Sequence, residues 1–153
     1  MAGINDDCAV FKTLGQKMSA ARRFNDLALT HIDKLEYQEA YKYFNQALLL
    51  FKELGSRTDE AHQWGNLGST LRNLNENDQA LQAYGESIKI FKEIGHQMGI
   101  ADQLTNIGYI LSLQNDFSGA LRHYEEALPL YKSLGAALKA EMTQRNIDII
   151  LKK

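Results

Sequence analysis

The chain has 153 residues, 44% hydrophobic and 24% charged, a composition that can bury a core and is globular rather than disordered. Seventeen Lys and Arg against 19 Asp and Glu give a formal charge of −2 with no basic block, which excludes the phosphate-neutralising stripe of a nucleic-acid binder. The lone Cys8 excludes an internal disulfide framework and a cysteine-built zinc site, and no run reaches the roughly 18 apolar residues of a membrane span; with no basic-then-apolar leader, the expected location is cytoplasmic.

A single proline and abundant Ala, Leu, Glu, Lys and Gln predict an all-α fold. The first helix is predicted over 4–14, with Asn5 as N-cap and Asp6 and Asp7 suited to the positive end of the helix dipole. It ends in the sequence FKTLG at Phe11–Gly15. That signature returns as FKELG at Phe51–Gly55, FKEIG at Phe91–Gly95 and YKSLG at Tyr131–Gly135, a period of forty residues that marks a repeat protein. Gly15, Gly55, Gly95 and Gly135 each follow an apolar helical stretch and read as helix stops, since glycine adopts the left-handed C′ conformation without steric penalty.

A second break falls between stops, at Leu35-Glu36-Tyr37, Asn75-Glu76-Asn77 and Asn115-Asp116-Phe117, with Asp78 and Ser118 expected to cap the next helices. The remaining helices are predicted at 17–34, 38–54, 57–74, 78–94, 97–114, 118–134 and 137–152, about eight in all. Loops this short make sequential helices antiparallel neighbours. The chain therefore reads as one array over 1–153: a half-repeat or cap at 1–15, helix pairs at 17–55, 57–95 and 97–135, and a terminal helix at 137–153.

Aligning the units predicts the core. Small residues coincide at Ala40, Ala80 and Ala120, aromatics at Phe44, Tyr84 and Tyr124, and small residues again at Ala47, Ser87 and Ala127. In the first helix of each pair, Phe24, Trp64 and Leu104 coincide, then Leu27, Leu67 and Ile107, then Ala28, Gly68 and Gly108, which defines one buried face with Trp64 inside it. Pro129 sits within a helix and should bend it on a solvent-facing surface.

None of His31, His62, His96 and His123 has a histidine or cysteine three or four residues on, so no helical metal pair exists, and His62 with Asp59 makes a weak pair at best. No nucleophile motif, phosphate-binding glycine loop or HExxH is present. The expectation is a non-enzymatic protein without cofactor or metal.

The residues Trp64-Gly65-Asn66-Leu67-Gly68, followed by Leu71, Asn75, Ala80, Tyr84 and Ser87, resemble the tetratricopeptide repeat pattern, best over 61–95, well over 101–135 and more loosely over 21–55. The forty-residue period resembles the long-repeat subclass that includes Pins/LGN-type adaptors, kinesin light chains and bacterial and archaeal regulators. The resemblance implies a right-handed α-solenoid that serves as a protein–protein interaction scaffold and binds a peptide or helix of a partner protein in its concave groove.

Projected onto this sequence, the groove comprises Arg22, Asn25 and Asp26, then His62, Asn66, Ser69 and Arg72, then Asp102, Thr105, Asn106 and Tyr109, and finally Arg145 and Asn146. Asn66, Asn106 and Asn146 recur at the repeat spacing, and such a ladder offers both donor and acceptor to an extended peptide backbone. The carboxylate clamp of some relatives needs basic residues where Asn25, Gly65 and Thr105 stand, which disfavours that partner. The apolar residues Ile147, Ile149, Ile150 and Leu151 of the last helix exceed what one neighbour covers, so the alternatives are a self-assembling module that forms homo-oligomers through its ends, or a peptide-sensing domain of a larger regulator.

Overall fold

The helix stops set the architecture. In the computed structural model, which describes residues 13–153, seven helices follow in order. They are α1 (Leu14–Asp33), α2 (Tyr37–Glu53), α3 (Arg57–Asn73), α4 (Asn77–Ile94), α5 (Gln97–Leu113), α6 (Phe117–Ser133) and α7 (Ala137–Leu151), with no strand among the described residues. The predicted helix at 4–14, with its cap and Cys8, lies outside the described residues.

The breaks are six copies of one device. Gly55, Gly95 and Gly135 have φ of 66°, 71° and 69°, while Leu35, Asn75 and Asn115 reach 61°, 63° and 64° at the alternate breaks. Each is closed by the paired backbone bonds of a Schellman cap; after α2, Gly55 N–H donates to Lys52 O and Ser56 N–H to Phe51 O. Leu35 is the costly member, since a branched side chain in this region costs about 1 kcal/mol or more. Its loop is held by Glu36 N–H donating to His31 O, and by a His31 Nδ1 to Glu36 Oε2 contact of 2.5 Å.

Two expectations at these breaks are corrected. Gly15 is not a stop: Thr13 caps α1 through a capping box with Gln16, which puts Gly15 in the first turn of the helix. A capping hydroxyl two residues ahead of the glycine sets a start rather than an end. Ser118 likewise lies inside α6, and Asp116 caps that helix by accepting from Gly119 N–H; Asp78 lies in the first turn of α4.

The described chain divides into two compact units, one ending at Ala83 and the other running Tyr84–Lys153. In the first, α1 packs on α2 and α2 on α3, and Ala20, Ala21 and Phe24 interlock with Ala47, Leu50 and Phe51. In the second, α5 packs on α6 and α6 on α7, and Ala120 and Tyr124 meet Ile147 and Ile150. The aligned small residues Ala40, Ala80 and Ala120 are fully buried, as are Ala47, Ser87 and Ala127, and the aromatics Phe44, Tyr84 and Tyr124 fill the space beside them. Gly108 shows why one helix face carries glycine, because a Cβ there would meet the Tyr124 ring at 2.9 Å.

Trp64 departs from the predicted core. It is only half-buried, with the Lys52 ammonium 5.1 Å from its ring centroid, so its indole is a cation-covered surface element rather than a core filler. The bicyclic indole is bulkier than the phenyl ring of Phe24 or the aliphatic side chain of Leu104, both of which are buried, and part of it stays at the surface. Pro129 is exposed within α6, on the solvent side as its sequence context predicts.

Candidate functional site

On α1, Arg22, Asn25, Asp26 and Leu29 share one stripe, because residues three and four apart stack on a helix face. On α3 the same spacing aligns Asp59, His62, Gln63 and Asn66. Together with the buried ring of Phe51 from α2, these two stripes line a cleft of about 460 Å³ within the first unit.

Its polar groups form a short chain. Gln63 Nε2 donates to Asn25 Oδ1 at 2.9 Å, and Asn25 Nδ2 donates to Asp26 Oδ1 at 3.4 Å. Asp26 can only accept, so it orients the Asn25 amide, and Asn25 in turn orients Gln63. The consequence falls on Gln63 Oε1, which is buried in a side chain only 3% exposed and has no hydrogen-bond partner. An unsatisfied buried acceptor costs about 1–3 kcal/mol. On α3, Asp59 Oδ2 accepts from Ser56 Oγ at 2.6 Å.

The second unit arranges the equivalent register differently. Asp102 Oδ1 accepts from Lys139 Nζ and from Tyr131 OH, each at 2.7 Å, and Thr105 Oγ1 lies 3.3 Å from the same phenol. Burial pushes the Tyr131 phenol above its ordinary range; the Thr105 hydrogen bond opposes this, while Asp102 adds to it. Asn106 Nδ2 donates to Gln103 Oε1 at 3.1 Å, and Tyr109 is about half exposed. Arg145 meets Glu141 across 3.4 Å of open surface, and Asn146 is half-buried.

Of the residues expected to form a groove, the fold brings Arg22, Asn25, Asp26, His62 and Asn66 to one cleft, and joins Asp102 and Thr105 through a tyrosine. Ser69 and Arg72 lie further along α3 and do not line the cleft, while Arg145 is held to its own helix. Sequence reasoning missed Gln63, Phe51, Tyr131 and Lys139. A signal existed for the first: Gln63 and Gln103 recur at the repeat spacing, next to the wall positions. Among the described residues no group of three or more His, Cys, Asp or Glu is placed to hold a metal ion, and no helix is long and apolar enough to cross a membrane.

A family model described as tetratricopeptide repeat matches residues 18–93 and again 59–133. No curated protein matches the sequence. Among solved structures, the apo form of RapI is similar with a TM-score of 0.83 at 18% identity, covering 95% of this chain and 52% of RapI. Aspartyl phosphate phosphatase F from Bacillus subtilis gives 0.74 at 12% identity, covering 96% of this chain and 43% of its own. The N-terminal domain of stress-induced protein-1 from C. elegans gives 0.65 at 16% identity, over 84% of this chain and 97% of that domain. The chain thus spans about half the length of the first of these structures.

Proposed function

The chain belongs to the tetratricopeptide repeat family, and from that premise we propose that it is a protein–protein interaction scaffold whose first helices hold an extended peptide segment of a partner protein. The observation that carries this reading is the open polar cleft between α1 and α3, which gathers five of the residues that the repeat register nominates. Its side chains offer donors and acceptors at short spacing, which suits a peptide backbone. The tyrosine, lysine and aspartate of the second unit are engaged with one another rather than open to a ligand.

Asn25 and Asn66, which both line the cleft, are the residues on which this reading places backbone recognition. Peptides selected from a random extended library on the native protein provide the test. Replacing both asparagines with alanine should weaken those peptides about tenfold, the loss of one to two net hydrogen bonds, with far-UV circular dichroism unchanged. Unchanged affinity would remove the asparagines from recognition, and a library that yields no groove-binding peptide would overturn the reading as a whole.

A further inference from the structure

The unsatisfied oxygen of Gln63 has a counterpart that shows what is missing. Eighty residues separate equivalent positions of the two units, so Asp59 corresponds to Lys139, Arg22 to Asp102, and Phe51 to Tyr131. In the second unit the chain supplies its own ammonium and its own phenol to the carboxylate of this register: Lys139 and Tyr131 both donate to Asp102. In the first unit the position of that lysine holds Asp59 and the position of that tyrosine holds Phe51, which has no hydroxyl. The cleft keeps acceptors without the donors that would satisfy them: Gln63 Oε1 has no partner, Asp26 accepts one long bond from Asn25, and Asp59 accepts at one oxygen from Ser56. Two carboxylates against the one guanidinium of Arg22, exposed at the same cleft, leave it net negative by one.

We propose that the cleft between α1 and α3 is a subsite for a basic side chain of the bound segment, whose ammonium donates to Gln63 Oε1 and is neutralised by Asp26 and Asp59. This deepens, and rests on, the reading of the cleft as a ligand groove. An ammonium carries three donors and no acceptor, the complement of these groups, and the cleft volume of about 460 Å³ admits a long unbranched side chain with part of its backbone. Gln63 Oε1 is itself closed to solvent, so on this proposal the ammonium meets it only as the Gln63–Asn25 hydrogen bond gives way to the ligand.

The probe is Nα-acetyl-lysine methylamide, with the norleucine analogue as a matched control that lacks the ammonium. Both are titrated into isotope-labelled native protein while the side-chain amide resonances of Gln63 and Asn25 are followed. A saturable shift is expected with the lysine compound only. Gln63→Met, which keeps the volume and removes the orphaned acceptor, and Asp59→Asn should each weaken binding about tenfold with helicity retained. Equal shifts from norleucine, no saturable shift from lysine, or a Gln63→Met variant that binds lysine as tightly as the native chain would each overturn the proposal. Library peptides that bind the native groove without any basic residue would also overturn it while leaving the broader groove reading intact.

Discussion

The two units carry the same hairpin register and opposite polar chemistry. At the position of Arg22 in the first unit, the second has Asp102; where the first has Asp59, the second has Lys139. The second unit resolves its charges internally, with the lysine and Tyr131 converging on Asp102, whereas the first leaves Gln63 Oε1 unmet beside an open cleft. The difference teaches that a repeat dictates where a side chain emerges and not what it does there. One hydroxyl, present on Tyr131 and absent from Phe51, helps turn the same register from a cleft into a closed network.

The deepest test of equivalence lies beneath these groups. Phe44 and Tyr124 fill the same core position and are each 2% exposed or less, so Phe44→Ala and Tyr124→Ala should each cost about 3–5 kcal/mol in urea unfolding. A cost below about 1 kcal/mol in either unit would break the equivalence of the two cores.

A smaller effect separates them by pH. Burial, with a further contribution from Tyr109, pushes the Tyr124 phenol up to about 12, while Phe44 has nothing to ionise. A raised phenol means that the fold favours the neutral form, so this stabilisation is complete below pH 10 and is lost as pH rises through about 12. A shift of about two pH units corresponds to roughly 3 kcal/mol. Tyr124→Phe should flatten that alkaline limb in denaturant titrations at stepped pH; an unchanged slope would place the alkaline sensitivity elsewhere.

Smallest is the Lys139 contact. Its side chain is 47% exposed and that of Asp102 33%, so Lys139→Met should cost less than about 1 kcal/mol in thermal unfolding, with the Tyr131 bond to Asp102 retained. A loss well above that would mean that the ammonium organises the second unit rather than decorating it.

Much of the fold was legible because its determinants are local and repeated. The ends of the described helices fall within three residues of the predicted ones, several coinciding, since Gly55, Gly95, Gly135, Asn75 and Asn115 reach the left-handed conformation at small cost. Gly15 misled because the pentapeptide there contains Thr13, whose hydroxyl begins a helix. Trp64 misled because register predicts a face and not the depth of the space behind it. The asparagine wall was half legible: Asn66 lines the cleft, whereas Asn106 is tied to Gln103 on its own helix.

By itself the sequence determined the period, the stops, the helical faces and the family, because caps and periodicity act over a few residues and repeat every forty. Only the tertiary structure decided which polar groups find partners. Whether Gln63 is satisfied depends on α1 and whether Asp102 is neutralised depends on α6 and α7, and those meetings are set by helix packing across more than twenty residues of chain.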